Sequence, residues 1–121
     1  MRDDDLIAAI LGAANELNEI RNRGRTAFET DPVNRRACER LVEIIGDMVG
    51  SFSVEFQQAH PELRYRDAKG MRNLLAHHYL KVRQDRVWDV VDNVVPMISE
   101  RLREIASDRA VDNTEPGLNL E

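Results

Sequence analysis

Apolar side chains recur every three or four positions along four separate segments of this 121-residue chain. That spacing puts them on one face of a helix and predicts helices over about residues 4–23, 33–58, 67–77 and 85–106. The sequence therefore predicts an all-α fold, an antiparallel bundle of four main helices joined by short connections. The four apolar stripes consist of Leu6, Ile7, Ile10, Leu11, Ala14, Leu17 and Ile20; Leu41, Ile44, Ile45, Met48, Phe52 and Phe56; Ala68, Met71, Leu74 and Leu75; and Val87, Trp88, Val91, Val94, Val95, Ile98, Leu102 and Ile105.

Residues suited to capping stand where these helices are predicted to begin. Three aspartates precede the first helix, Asp31 or Asn34 can cap the second, Asp67 the third and Asp85 the fourth. The fourth stripe is rich in valine, which is common in strands, but its polar residues also follow a three-to-four spacing, which favours a helix. Pro96 is expected to kink this helix because proline lacks a backbone donor.

Length and composition indicate one domain, at residues 1–107, followed by a segment without periodicity, 108–121, that we expect to be a flexible tail. The single cysteine, Cys38, excludes an internal disulfide and is typical of a protein from a reducing cytoplasm, so we predict a cytoplasmic location. Neither a signal peptide nor a membrane span is expected, since the chain lacks a long apolar run. The valine-rich stripe and Trp88 exceed what one small core can hold, which favours a homodimer.

The formal charge of −5 would disfavour binding to nucleic acid, but the charge is unevenly distributed. Residues 64–86 contain seven basic and two acidic side chains, a net of +5, so the remainder carries −10. A cationic strip on an acidic body suits a local phosphate-binding site, and it equally suits a solvated charged face. The basic residues of the strip are Arg64, Arg66, Lys69, Arg72, Lys81, Arg83 and Arg86.

An Arg-x4-His-x-Tyr pattern within this strip carries the most chemistry in the chain. Arg72 supplies a permanent cation, His77 an imidazole that titrates near neutral pH, and Tyr79 a phenol. Cleavage of a phosphodiester needs a guanidinium to hold phosphate oxygens and an imidazole to move a proton. The alternatives are a solvated surface arginine, a histidine at a helix end and a tyrosine in the core or an interface.

Helical geometry limits how Arg72 and His77 can act together. Five residues turn about 140° around an ideal helix, so the two side chains cannot share one face of a straight helix. Either the helix ends near His77, or Arg72 and His77 from two protomers meet at a symmetry axis.

The motif and its flanks resemble the HepT-like toxins of the HEPN ribonuclease superfamily. The similarity runs over roughly residues 4–106 and is most specific in the block Gly70-Met71-Arg72-Asn73 with His77-x-Tyr79. Upstream, Glu43-Ile44-Ile45-Gly46-Asp47 resembles the second long helix of that family. The resemblance implies a homodimer with a composite cleft, in which both copies of the motif cleave RNA without a metal or other cofactor.

The same resemblance implies roles for individual residues. Arg72 would stabilise charge on the phosphorus, His77 would act as general acid or base, and a partner nucleotidyltransferase would attach AMP to Tyr79. Asn73 would hydrogen-bond the substrate or orient the site, although a helix-surface role is equally open. His78 stands at a variable position and is a substitute base at most. Supporting or substrate-binding residues are then Asn73, Lys69, His78 and Lys81.

Two functions follow as hypotheses. In the first, the chain is the toxin of a prokaryotic type VII-like toxin–antitoxin pair, an endoribonuclease inhibited by AMPylation of Tyr79. In the second, it is a non-catalytic helical accessory subunit that binds substrate for a nucleotidyltransferase. An unrelated structural dimer would share the helical pattern but would not explain the motif. The predicted partners are a second copy, a nucleotidyltransferase antitoxin and RNA, with no membrane.

Overall fold

The computed structural model describes residues 2–113, and in this range the chain forms helices and turns without a strand. This confirms the predicted all-α fold. No helix among these residues is long and apolar enough to cross a membrane. In chain order the elements are α1 (Asp3–Arg21), α2 (Arg25–Thr30), α3 (Pro32–Val49), α4 (Val54–Ala59), a 3-10 turn (Pro61–Leu63), α5 (Tyr65–His77), a second 3-10 turn (Tyr79–Lys81), α6 (Gln84–Asp89), a π-helical segment (Val90–Val94) and α7 (Val95–Asn113).

Helix α1 packs against α3 and α7 and is antiparallel to both. At its start, the Asp3 carboxylate accepts hydrogen bonds from the Ser53 backbone N–H at 2.9 Å and hydroxyl at 2.6 Å, just beyond the end of α3. Arg109, near the end of α7, donates to Asp4 at 2.6 Å. The apolar faces of these helices enclose one core, whose most fully buried side chains are Ile10, Leu17, Phe28, Cys38, Val49, Leu63, Val87, Val91, Leu102 and Ile105.

The second predicted helix, 33–58, is wrong as a single element. Helix α3 ends at Val49, and α4 begins after Ser53, whose hydroxyl accepts a hydrogen bond from the Phe56 N–H at 3.1 Å. Phe52 and Phe56 stack at 4.0 Å between ring centroids on either side of this cap, and both are buried. Because the break preserves the spacing of the two rings, the apolar pattern continues through it.

Short helix α2 has no counterpart in the sequence prediction. It follows Gly24, whose φ of 94° lies in the left-handed region that favours glycine, and it buries Phe28 against Trp88 at 5.3 Å between ring centroids. The Asp31 side chain then caps α3 by accepting from the Val33 N–H at 2.9 Å, as one of the two predicted alternatives.

The predicted caps of the third and fourth helices are wrong. Helix α5 begins at Tyr65, two residues before Asp67, and Asp67 lies in its first turn, where it accepts a hydrogen bond from Arg64 at 2.8 Å. Helix α6 begins at Gln84, and the Asp85 carboxylate instead accepts from Arg83 at 2.9 Å. Both aspartates meet the positive end of their helix and pair with the arginine that precedes it.

A π-helical segment joins α6 to α7 and ends two residues before Pro96. Proline at this position cannot donate to the carbonyl four residues earlier, and wider i→i+5 pairing is a common way to accommodate such a gap. The disturbance expected from Pro96 therefore takes the form of a π-helical segment over Val90–Val94.

Helix α7 is longer than predicted and reaches into the segment expected to be a tail. It continues to Asn113, past the predicted end near residue 106, and so residues 108–113 are helical. Arg109 anchors this part by its bond to Asp4 and by lying 5.8 Å from the ring centroid of Phe56. The rest of the predicted tail, 114–121, lies outside the described residues.

Candidate active site

A close approach between α3 and α5 sets the position of Arg72. Gly46 is buried in α3, and a Cβ atom at that position would lie 2.7 Å from the Ala68 carbonyl oxygen and 3.1 Å from the Arg72 Cβ. A side chain at 46 would hold the helices apart, so glycine is what allows α5 to lie directly on α3 here. Arg72 thereby lies beside the next residue of α3, Asp47.

Arg72 is held by two neighbours and remains partly open to solvent. Its Nε lies 3.4 Å from the Asp47 Oδ1, which is an ion-pair distance, although the buried Nε lacks the geometry of a hydrogen bond. Its Nη1 donates to the Asn73 Oδ1 at 3.2 Å. With a side chain 33% exposed, Arg72 is oriented by carboxylate and amide while part of it faces solvent.

The sequence prediction included one of these two partners of Arg72, Asn73, and did not include the other, Asp47. Asn73 was predicted to contact substrate, to orient the site or to lie on the helix surface, and here it contacts the guanidinium of Arg72. Asp47 was missing from the predicted site. The signal for it was the resemblance of the segment 43–47 to a family helix, which does not indicate that its carboxylate faces Arg72.

His77 is the last residue of α5, and His78 follows it at the helix end. The backbone N–H of His78 donates to the Leu74 carbonyl at 2.8 Å, and its carbonyl accepts from the Lys81 N–H at 2.8 Å. Both imidazoles are exposed, and within the described range neither has a hydrogen-bond or ion-pair partner. The structure does not bring Arg72 and His77 into contact in one chain: Arg72 faces α3, whereas His77 is open to solvent.

Tyr79 lies in the turn after α5 and reaches back to α3. Its hydroxyl donates to the Glu39 Oε1 at 2.7 Å and accepts from the Arg36 Nη1 at 2.9 Å. The Arg36 guanidinium carbon also lies 5.8 Å from the ring centroid. The hydrogen bond to Glu39, followed by burial, raises the pKa of Tyr79 above its ordinary value of 10.0. Glu39 is 8% exposed, while Tyr79 is 39% exposed.

Like Asp47, Arg36 and Glu39 were missing from the site predicted from the sequence. They lie one turn apart on α3, about forty positions before the motif, and nothing in the spacing of the motif refers to them. Together with Arg40, Glu43 and Leu75 they surround a cavity of about 120 Å³ beside Tyr79. Arg40 and Glu43 form an ion pair at 3.2 Å.

The cationic strip is less free than its charge count suggests. Both of its acidic residues pair with an arginine of the strip, at 2.7 Å for Arg64 with Asp67 and at 2.9 Å for Arg83 with Asp85. Lys69 and Lys81 are exposed, and neither forms an ion pair in the part of the chain that the structure describes. Across residues 2–113, no three His, Cys, Asp or Glu side chains lie close enough together to bind a metal ion.

The segment that forms these helices and the motif matches a known protein family. A family model described as "Ribonuclease HepT-like" matches residues 10–105, which includes α3, all of α5 and the whole Arg72–Tyr79 motif. The chain belongs to the HepT-like ribonuclease family. The match spans most of the helical bundle, so it concerns the fold as well as the motif.

Similar proteins come from bacteria and archaea. This HepT-like chain is 33% identical over 78 residues to "Putative RNase TTE0752" of Caldanaerobacter subterraneus subsp. tengcongensis, covering 64% of this chain and 70% of the relative. It is 30% identical over 81 residues to "Putative RNase MJ0127" of Methanocaldococcus jannaschii, covering 67% of each. It is 28% identical over 78 residues to "Probable ribonuclease HepT" of Thermococcus cleftensis, covering 64% and 71%. No solved structure gives a significant match.

Proposed function

We propose that this HepT-like protein is a metal-independent endoribonuclease that acts as a homodimer. The observation that carries the proposal is the state of Arg72, whose guanidinium is oriented by Asp47 and Asn73 while its side chain is one third exposed. An arginine held in this way can receive a phosphate without first being ordered, which is the basis of electrostatic stabilisation in a preorganised site.

The dimer supplies what one chain lacks. Arg72 is directed toward α3 and His77 toward solvent, so a second copy across a two-fold axis would bring His77 of one chain to Arg72 of the other. His77 then takes the proton of a ribose 2′-hydroxyl or gives one to the leaving oxygen, and Arg72 stabilises the charge at phosphorus. The product is a cyclic phosphate end, and DNA, which lacks the attacking hydroxyl, is not cleaved.

Substitution of the two motif residues tests the activity. Arg72→Ala and His77→Ala should each lower cleavage of single-stranded RNA by about 100-fold or more, since each removes a charge partner or a general acid/base from the transition state. Both residues are partly or fully exposed, so helical content should not change. Gel-based cleavage assays and circular dichroism measure the two effects.

Two control variants show whether a loss of activity is specific to Arg72 and His77. His78→Ala should lower the activity far less than His77→Ala does, because His78 is an exposed imidazole outside the Arg-x4-His spacing. Arg103→Ala removes an exposed arginine from α7, outside the motif, and should keep the wild-type activity. Full activity of His77→Ala with loss in His78→Ala would contradict the role of His77, and loss of activity with a chelator would contradict the metal-free mechanism.

The regulatory part of the proposal concerns Tyr79. We infer that the protein is the toxin of a type VII-like toxin–antitoxin pair and that a nucleotidyltransferase antitoxin adds AMP to the Tyr79 hydroxyl. Tyr79 lies two residues beyond His77, so a bulky, charged adduct there would occupy space needed by RNA. Support comes from family membership and from the arginine already bonded to the phenol oxygen.

A second candidate function is a non-catalytic accessory subunit of a nucleotidyltransferase. It is favoured by the absence of contact between Arg72 and His77 within the single described chain. Purified protein that binds the transferase but leaves RNA intact, with no change of mass when ATP is added, would support this function over the ribonuclease.

A further inference from the structure

We infer that Glu39 is the general base that activates Tyr79 for nucleotidyl transfer, with Arg36 stabilising the charge that forms on the phenol oxygen. This inference rests on the proposed function, because it concerns the same modification of Tyr79. It assigns part of the catalytic machinery to the protein that is modified, whereas the nucleotide and its metal would be held by the transferase.

The geometry at the hydroxyl is that of an activated nucleophile. A nucleophile and its base need to lie within hydrogen-bonding distance, and here the phenolic O–H donates directly to the Glu39 carboxylate at 2.7 Å. One lone pair of the same oxygen accepts from Arg36 at 2.9 Å, which leaves the other for the new bond. One hydroxyl thus has a proton acceptor on one side and a permanent cation on the other.

Other side chains around Tyr79 do not fit the role of base. Arginine stays protonated in proteins, which excludes Arg36. Glu43 lines the same cavity, but its carboxylate pairs with Arg40 at 3.2 Å. Within the described residues, neither His77 nor His78 forms a hydrogen bond with the phenol. Glu39 remains as the proton acceptor already in place.

A base is needed because Tyr79 resists ionisation in the folded chain. Its hydrogen bond to Glu39 raises the pKa of the phenol, so Tyr79 is not a preformed phenolate near neutral pH. The proton must therefore leave as the new bond forms, which is what general base catalysis provides.

The step balances with ATP as the second substrate. The phenol oxygen forms a bond to the α-phosphorus, and the bond from that phosphorus to the bridging oxygen of the leaving group breaks. Pyrophosphate leaves with the electron pair of that bond, and the phenolic proton passes to the Glu39 carboxylate and then to water. Arg36 changes from a partner of the phenol to a partner of the new phosphodiester.

The test compares Glu39→Gln with Glu43→Gln in the full-length chain, using the cognate nucleotidyltransferase, ATP and Mg²⁺. The amide oxygen of glutamine can still accept the phenolic hydrogen bond but cannot take its proton. Glu39→Gln should therefore lower the kcat of modification by about 100-fold with little change in the KM for this protein. Glu43→Gln should be modified at the wild-type rate. Intact-mass analysis measures the adduct, and Tyr79→Phe, which lacks the acceptor oxygen, should gain none.

Glu39→Asp guards against a purely structural effect. It keeps a carboxylate on a shorter side chain and should recover part of the rate that Glu39→Gln loses, at equal helical content. Equal rates for wild type and Glu39→Gln, or equal losses in Glu39→Gln and Glu39→Asp variants that remain folded, would overturn the role of Glu39. A wild-type protein that gains no adduct would instead reject the proposed regulation as a whole.

Discussion

Glu39 is a nearly buried carboxylate, and the hydroxyl of Tyr79 supplies its hydrogen bond. A buried charge that loses its partner keeps the full cost of leaving water, so this pair stabilises the fold apart from any role in modification. The same contact fixes the turn after α5 to α3, and with it the exposed His77 and His78. Both the stability of the fold and the proposed control of activity therefore depend on the hydroxyl oxygen of Tyr79.

We predict that Tyr79→Phe lowers the free energy of unfolding by about 1 kcal/mol, since Glu39 loses a hydrogen bond to a charged group while water can partly replace it at the half-exposed ring. Chemical denaturation at neutral pH measures the change. The double variant Tyr79→Phe/Glu39→Gln should cost less than the sum of its single changes. Strict additivity would show that the two side chains are not coupled in solution.

At the scale of elements, α3 and α5 form the frame of the site. They run antiparallel, with Gly46 and Asp47 beside Arg72 toward one end and Arg36 and Glu39 beside Tyr79 toward the other. Within residues 2–113, the contacts that orient Arg72 and Tyr79 therefore come from α3 or from α5 and its turn. A change in the distance between these two helices should alter both residues together.

We predict that Gly46→Ala destabilises the protein by about 1–2 kcal/mol and lowers RNA cleavage. The added Cβ would lie 2.7 Å from the Ala68 carbonyl oxygen, so α5 must move, and overpacking outweighs the better helix propensity of alanine. Gly70→Ala is the matched control, since Gly70 lies in α5 with nothing within 4 Å of the new atom, and this variant should be slightly more stable. Thermal unfolding measures the stability of both variants. A Gly46→Ala variant as stable as the wild type would contradict the close packing of α5 on α3.

The sequence predicted helices where apolar spacing was regular. It did not predict the break between α3 and α4 or the short helix α2. The break at 50–53 was invisible because Phe52 and Phe56 keep helical spacing across it. The motif of the candidate site could be recognised from the sequence because Arg72, His77 and Tyr79 lie within eight residues, and the roles of these residues stay predictions. Asp47, Arg36 and Glu39 were not predictable, because their contacts depend on how α3 and α5 pack and no local pattern records that.

The described chain buries the apolar residues that were expected to need a second copy. The valine-rich stripe and Trp88 were expected to exceed one core, but Val87, Val91 and Trp88 are buried within the single chain, with Trp88 against Phe28. An excess of apolar side chains on this stripe is therefore wrong as a reason to expect a dimer. The case for a dimer now rests on the motif, in which Arg72 and the exposed His77 need a second copy to meet, and Leu80, 97% exposed, lies beside it.

We predict that the protein sediments as a homodimer at micromolar concentration, with Arg72 and His77 of both chains bordering one cleft. Mixing Arg72→Ala with His77→Ala protein should restore part of the activity, because a mixed dimer contains one cleft half with both wild-type residues. Analytical ultracentrifugation and a cleavage assay of the mixture provide the measurements. A monomer in sedimentation, or a mixture as inactive as either variant alone, would contradict the composite cleft.

The hydrogen bond from Tyr79 to Glu39 also bears on how an inactivated chain would differ from an active one. A phenol that becomes a phosphodiester has no proton left to donate, so the Glu39 carboxylate would face a second anion in place of its partner. Repulsion between them would leave Arg36 as the remaining partner from α3 at the modified oxygen, so the turn after α5 would be held less firmly in the inactivated chain than in the active one.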